Sequence, residues 1–239
     1  MIDDPAAASR ALAGRSPTEV LAWAVTHAGP RVAFATGFGA EGCAIIDLIA
    51  RAHLPIEVFT LDTGLLFPET YALWKALEAH YAITIRAVTP ARTVEQQAAD
   101  DGPALWAREP DRCCDRRKVQ PLRTALAGLS SWVTAIRRDQ TAERATAQVV
   151  EHDARFGLVK INPLVAWTHD DVWSHLYAHD VPFNPLHERG YPSIGCQPCT
   201  SQIVPGERLR AGRWRDADKR ECGIHVPPPS NGPAPRGDA

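Results

Sequence analysis

Between residues 31 and 88, three short apolar runs alternate with two helical stretches, and this alternation constrains the fold more than any other feature. Residues 31–36 (RVAFAT), 56–61 (IEVFTL) and 82–88 (AITIRAV) read as strands, and residues 41–53 and 68–80 read as helices. Strands separated by helices of about 12 residues cannot pair as hairpins, so they predict a parallel sheet with helices on both faces. Residues 131–136 (SWVTAI) and 158–161 extend the set of strands, and Thr168 caps a helix reaching residue 179. Upstream, Ser16-Pro17-Thr18-Glu19 is a capping box with proline at the first helical position, followed by the apolar stripe of Val20, Leu21 and Ala24. The expected architecture is one α/β domain with a C-terminal extension. An N-terminal helical segment covers 1–28, the α/β domain 29–205 and a further segment 206–225. A Pro- and Gly-rich stretch over 226–239 lacks apolar periodicity and is expected to be disordered.

Cysteine spacing narrows the chemistry. The acidic start Met1-Ile2-Asp3-Asp4-Pro5 is no secretion signal, and no apolar run approaches the roughly 20 residues needed to cross a bilayer. The chain is therefore expected to be cytoplasmic and away from membranes, where thiols stay reduced and their spacing points to metal or redox chemistry. Cys113 and Cys114 are adjacent, and Cys196 and Cys199 form a C-x-x-C pair. Four thiolates suit tetrahedral zinc or a cubane iron–sulfur cluster. Adjacent side chains diverge from the backbone, which fits separate iron corners better than one zinc. If residues 115–126 are helical, Arg117 lies one turn from Cys113 and Lys118 one turn from Cys114, cations placed beside an anionic centre or solvated on a helix face.

Cys43 lies in an apolar helix and reads as core. Cys222, in Lys219-Arg220-Glu221-Cys222-Gly223-Ile224-His225, stands among cations, which favour the thiolate. The residues alone admit a nucleophile or an incidental surface thiol equally. If it is a nucleophile, no other free thiol remains to resolve a covalent intermediate, and the reductant must be a separate dithiol protein. Net charge is −2, so bulk attraction to nucleic acid is not indicated and anion sites must come from local clusters. Such clusters exist: Arg137-Arg138-Asp139-Gln140 follows a strand, Arg144 lies just beyond, and Arg208, Arg210, Arg213 and Arg215 precede Cys222. The Thr36–Gly42 turn joins a strand to a helix N-terminus, a place that favours anions, although its glycines fit neither a P-loop nor a dinucleotide fingerprint.

Several motifs resemble those of the assimilatory adenylyl-sulfate reductases, within the sulfonucleotide reductase family. They are Leu61-Asp62-Thr63-Gly64, Phe67-Pro68-Glu69-Thr70, Cys113-Cys114-x-x-Arg117-Lys118-Val119-x-Pro121-Leu122 and Arg137-Arg138-Asp139-Gln140. Gly190-Tyr191-Pro192-Ser193-Ile194-Gly195-Cys196-x-Pro198-Cys199-Thr200 and Glu221-Cys222-Gly223-Ile224-His225 complete the set, in order from about residue 30 to 225. The resemblance implies an adenine-nucleotide α-hydrolase-like sheet with a modified pyrophosphatase loop. It implies a 4Fe-4S cluster on Cys113, Cys114, Cys196 and Cys199, with Cys222 as nucleophile. Lys118, Arg144, Arg210 and Arg213 match positions that hold the phosphosulfate. Thr36, Gly37, Phe38, Gly39 and Leu61 match the nucleotide cradle, with Ala135 beside it, and Arg117 and His225 support the site from behind. Leu65 and Ala135 stand where many relatives have arginine and glycine.

The reaction implied is thioredoxin-dependent reduction of adenylyl sulfate to sulfite and AMP through an S-sulfocysteine, in sulfate assimilation, by a homo-oligomer. Three other readings compete. A reductase for the nucleotide with an additional ribose phosphate commonly lacks both cysteine pairs. An ATP-dependent adenylating or thiolating enzyme acting on tRNA would release pyrophosphate. A zinc-stabilised binding domain would be colourless.

Overall fold

The computed structural model describes residues 2–28 and 31–225 of the chain; the stretch expected to be disordered, 226–239, lies outside them. Two helices come first, α1 (Pro5–Ala11) and α2 (Pro17–Ala28). The capping box before α2 forms as expected: Ser16 N–H donates to Glu19 Oε2 at 2.8 Å, and Glu19 N–H to Ser16 Oγ at 3.3 Å. The alternating region follows as β1 (Val32–Thr36), α3 (Ala40–Arg51), β2 (Glu57–Leu61), α4 (Pro68–Tyr81) and β3 (Ile85–Val88). Helices α5 (Val94–Asp101), α6 (Leu105–Arg108) and α7 (Pro110–Cys114) lead to a π-helical turn at Asp115–Val119 and then α8 (Gln120–Leu126). The remaining elements are β4 (Ser131–Val133), β5 (Val150–Asp153), β6 (Leu158–Ile161) and α9 (His169–Ala178).

The strands form one sheet in the order β3-β2-β1-β4-β6-β5, parallel throughout except for the antiparallel pair β5–β6. Both faces are buried, which is why the central strands read as continuous apolar runs. Val32 and Phe34 pack with Leu21, Ile45, Ile46 and Leu77 on one face. Ala33, Phe59 and Trp132 meet Leu122 and Leu126 of α8 on the other. The chain leaves β1 toward β2 on one side and adds β4 on the other, so the sheet has its switch point beside β1, where a crevice opens at the strand carboxyl ends. Thr36 pairs with Thr60 and Phe34 with Val133, which brings the ends of β1, β2 and β4 to one level.

Three local differences from the sequence reading have physical causes. β4 ends at Val133 instead of reaching residue 136: Thr134 N–H makes a last bond to Ile161 O at 2.9 Å, and its hydroxyl turns to Asn162 Oδ1 at 2.5 Å. Ala82, expected in a strand, is the left-handed cap of α4. The helix expected over 115–126 opens into a π turn, closed by Gln120 N–H on Asp115 O. Pro121 lacks an N–H and its ring crowds the preceding turn, which favours the wider spacing there.

Candidate active site

One cavity at the switch point gathers most of the residues singled out from the sequence. Thr36, Gly37, Phe38, Gly39, Leu61 and Ala135 line one end of it. Lys118, Arg144, Arg210, Arg213, Cys222 and His225 line the other. The chain brings these groups from five separate segments to one place.

The first end is built by short-range backbone geometry. Phe38 takes a left-handed backbone (φ 57°), sinks its ring into the core against Trp74 at 5.6 Å, and donates its N–H to Thr36 Oγ1 at 3.1 Å. Gly42 lets the first turn of α3 approach β1, because a Cβ there would lie 2.7 Å from Thr36 Oγ1. No side chain caps α3 at Gly39. Its first turn carries the carboxylate of Glu41 instead, which accepts from the buried Arg137 and from Gln140 Nε2 at 3.0 Å. Arg137 also donates to Asp139 Oδ1 at 2.9 Å, so the cation at this end is held internally.

The second end is assembled over long sequence distances. Cys113 and Cys114 close α7, and Cys196 and Cys199 flank a short 3-10 turn; all four thiols line a single cavity closed by Leu65, Pro110 and Trp214. Leu65 thus forms an apolar wall of the cysteine cavity. The loop after β2 serves this end as well as the first, where Leu61 lines the cavity. Thr63 Oγ1 meets Cys196 Sγ at 3.3 Å, and Thr63 O accepts from Arg117 Nε at 2.6 Å. Arg117, 3% exposed, spends its other donors on Arg92 O, Thr93 O and Gln97 Oε1, and Gln97 in turn reaches Cys113 Sγ at 4.0 Å. Arg117 is a clamp on the cysteine walls, not a solvated charge.

Charge in this region is balanced between thiols and cations. Burial pushes Cys113 and Cys114 up to about 11, and burial also raises Cys199. Burial works against Cys196 too, but Lys118, Thr63 and Arg213 outweigh it and leave that thiol below its ordinary value. Lys118, despite desolvation, is held above the usual lysine range by Cys196, Cys222 and Cys114. Arg213 sits over Trp214 at 4.5 Å and donates to Ile194 O at 3.3 Å. Gly195 leaves room for it, since a Cβ there would displace the Arg213 guanidinium.

The four thiols form a soft donor set that fits a thiolate-held metal centre. Three thiols pushed up by burial and a fourth, Cys196, held below its ordinary value beside Lys118, Thr63 and Arg213 suit a soft cationic group that takes thiolate ligands. Among the described residues, no three Cys, His, Asp or Glu groups converge on a point that one metal ion could hold. A single zinc would need four sulfurs at about 2.3 Å from one centre.

Cys222 is half-buried in the main cavity, and the cations nearest it differ from those expected. Lys219 turns away to pair with Asp111 and lies over Trp214 at 5.4 Å. Lys118 from the π turn and Arg210 face the thiol instead. His225 stacks parallel on Trp132 at 5.8 Å, and desolvation beside Arg144, Lys160 and Arg210 holds it well below the usual histidine value.

Several cavity residues have buried polar atoms without a partner among the described residues: Arg210 Nε, Arg213 Nε and His225 Nδ1. Native interiors pair almost all such atoms, so a cluster of orphans around one cavity marks a polar ligand site. His187 was not singled out from the sequence. It follows Asn184-Pro185-Leu186 in a 3-10 turn, and only the fold brings it to the cavity beside Glu41.

Comparison with known proteins agrees with this geometry. A family profile described as the phosphoadenosine phosphosulfate reductase domain matches residues 31–202. An adenosine 5'-phosphosulfate reductase of Geobacillus thermodenitrificans is 44% identical over 209 residues, covering 87% of this chain and 89% of the relative. Adenosine 5'-phosphosulfate reductase 1 of Bacillus subtilis is 44% identical over 86% of this chain and 89% of its own length. The crystal structure of a phosphoadenylyl-sulfate reductase from Candida auris, in complex with phosphate, superposes with a TM-score of 0.72 at 32% identity, covering 82% of this chain and 94% of that one. A yeast FAD synthetase in complex with FAD shares the fold alone, with a TM-score of 0.55 at 14% identity over 84% of this chain and 69% of that one.

Proposed function

The chain belongs to the phosphoadenosine phosphosulfate reductase domain family, and from that premise we propose that it reduces adenylyl sulfate to sulfite and AMP. Cys222 is the attacking thiol, and a thioredoxin-type dithiol protein is the electron donor. The observation that carries the reading is the meeting of one thiol, Cys222, with Lys118, Arg144, Arg210 and Arg213 in the crevice beside β1.

In the first half-reaction the Cys222 thiolate attacks the sulfur of adenylyl sulfate. A sulfur–sulfur bond forms, the sulfur–oxygen bridge breaks, and AMP leaves with the bridging electron pair. Charge builds on that oxygen, and the four cations offset it. The unpartnered Nε groups of Arg210 and Arg213 suit oxygens arriving there. An S-sulfocysteine remains. In the second half-reaction a thiolate of the dithiol protein attacks Cys222 Sγ, sulfite leaves, and the second thiol of that protein closes its own disulfide and returns Cys222 to the thiol. Two electrons pass from the dithiol to sulfur. Cys43 lies in the core with its thiol pushed up by burial, and the other four cysteines are taken up by the proposed cluster, Cys196 lining both cavities, so on this reading no internal thiol is left to resolve the intermediate.

A 4Fe-4S cluster on Cys113, Cys114, Cys196 and Cys199 is part of the same proposal; when bound it supplies fixed charge and ties α7 to the 196–199 turn. Lys118 then lies between the cysteine cavity and Cys222, and holds its proton throughout. The nucleotide end supports the substrate without an additional ribose phosphate, because Arg137 is already engaged by Glu41 and Asp139. Among the described residues no helix is long and apolar enough to cross a membrane. A reducing cytoplasmic setting and assembly as a homo-oligomer complete the proposal; they rest on the free cysteines and on the family resemblance.

The test is steady-state reduction of the two nucleotides by the anaerobically prepared enzyme with a reduced thioredoxin. Adenylyl sulfate is expected to be the better substrate, and Cys222→Ser is expected to release no sulfite. Equal or better use of the ribose-phosphorylated substrate, or sulfite release by the variant at the normal rate, overturns the reading.

A further inference from the structure

The residue just before the nucleophile is held by the arginines of the site. Arg144 grips Glu221 with a two-pronged fork, Nε to Oε1 at 2.9 Å and Nη2 to Oε2 at 2.8 Å. Arg210 Nη2 reaches the same Oε2 at 3.4 Å and also holds Arg220 O at 3.1 Å, and Thr141 Oγ1 donates to Oε1 at 3.3 Å. The Glu221 side chain is 7% exposed. An enclosed bidentate carboxylate–guanidinium pair of this kind is directional and far less screened than a surface ion pair. Residues 219–225 form no helix or strand. Their other ties to the body include Lys219 with Asp111 and over Trp214, Ile224 against the second core, and the His225 ring on Trp132. Of these ties, the fork on Glu221 is the one adjacent in sequence to Cys222.

We infer that Glu221 is a positioning residue, which seats the Cys222 segment on Arg144 and Arg210 and so brings the thiol to the substrate held by the same guanidiniums. This rests on the reading of Cys222 as nucleophile. Arg144 gives Nε and Nη2 to Glu221 and Nη1 to Gln140 Oε1 at 2.5 Å, whereas Arg210 keeps a buried Nε without a partner among the described residues. One edge of the cationic pair fastens the segment, and donors remain for the incoming anion. Loss of the Glu221 charge frees the segment and leaves both guanidiniums available to substrate. Binding and bond formation should therefore separate: a neutral residue at 221 weakens delivery of the thiol without weakening capture of the nucleotide.

The experiment uses the full chain, prepared anaerobically, as wild type, Glu221→Gln and Glu221→Asp. Quenched-flow intact mass at saturating adenylyl sulfate follows sulfonate on Cys222. Equilibrium binding of adenylyl sulfate is measured in a Cys222→Ser background with and without Glu221→Gln, and limited trypsin digestion probes cleavage after Lys219 and Arg220. Glu221→Gln should slow sulfonation by about ten- to a hundredfold, the scale of a misplaced reactive group. Its binding of adenylyl sulfate should be unchanged or tighter, its cleavage at residues 219 and 220 faster, and Glu221→Asp should recover part of the rate. Sulfonation at the wild-type rate overturns the inference. So does a loss of affinity that accounts for the whole rate loss, since Glu221 would then serve only to orient the arginines. Absence of sulfonate on wild-type Cys222 is a different failure, that of the reaction proposed above.

Discussion

The two ends of the cavity are built in opposite ways. The nucleotide end is made by consecutive strand–turn–helix units, and its defining contacts, such as Phe38 N–H to Thr36 Oγ1, span two residues of sequence. The cysteine and arginine end is held by contacts across 54, 77 and 133 residues: Arg117 to Thr63, Arg144 to Glu221, and Thr63 to Cys196. Backbone and sheet fix the first end. Charges and polar side chains collect the second. A nucleotide can therefore be bound by a rigid scaffold while the reacting groups depend on a network that one substitution can open.

That contrast is broken most severely at Cys196, the one thiol of the four held below its ordinary value and tied to Thr63. Cys196→Ser should abolish visible absorption and bound iron and reduce sulfite release to background. AMP, assigned by the proposal to the Thr36–Gly39 end, should still bind, with a smaller loss than sulfite release shows. Retained iron with full activity would show that the four thiols do not act as one set.

Next in size, Arg210→Ala should lower kcat/KM for adenylyl sulfate by about a hundredfold, the scale seen when a group opposing developing charge is removed. His187→Ala at the other end should raise KM by about tenfold and leave kcat nearly unchanged, as expected for a lost polar contact made equally in ground and transition states. Measured against AMP as competitor, His187→Ala should weaken AMP and adenylyl sulfate alike, whereas Arg210→Ala should affect adenylyl sulfate more. The reverse pattern would exchange the roles assigned to the two ends.

The smallest effect concerns pH. His225 is held well below its ordinary value by burial and by Arg144, Lys160 and Arg210, so in the docked segment it stays neutral. The undocked segment takes up a proton below about pH 6.5, which favours release as pH falls through that value and has no influence above it. The shift cannot exceed about tenfold in the docking equilibrium per pH unit. Amide exchange of residues 219–225, corrected for its intrinsic pH dependence, should quicken between pH 7.5 and 5.5, and His225→Gln should flatten that response.

Legibility in the sequence followed the same division. The apolar runs at 32–36 and 57–61 and the helices between and after them could be read because each is buried on a regular period. By contrast β5, Val-Glu-His-Asp, is a half-polar antiparallel edge strand, and α5, Val94–Asp101, is largely polar and stabilised by the Thr93–Gln96 capping box, so neither carried an apolar signal. The cysteine pairs and the arginine clusters were legible as residue types at a spacing. Their partners were not. Nothing local in Thr63, Glu41 or His187 announces a cysteine, an arginine or a cavity, because those pairings exist only once the sheet has brought distant loops together. The cations beside Cys222 make the point most plainly: Lys219 is its near neighbour in sequence yet pairs with Asp111, and Lys118 supplies the charge from across the fold.

The central claim concerns where sulfur is carried, and intact mass of the anaerobically prepared protein after brief incubation with adenylyl sulfate addresses it directly. One sulfonate per chain is expected, mapping to Cys222 and discharged as sulfite when a reduced thioredoxin is added. Sulfite formed from a protein that never carries the adduct, or an adduct that maps to another residue, would contradict the account.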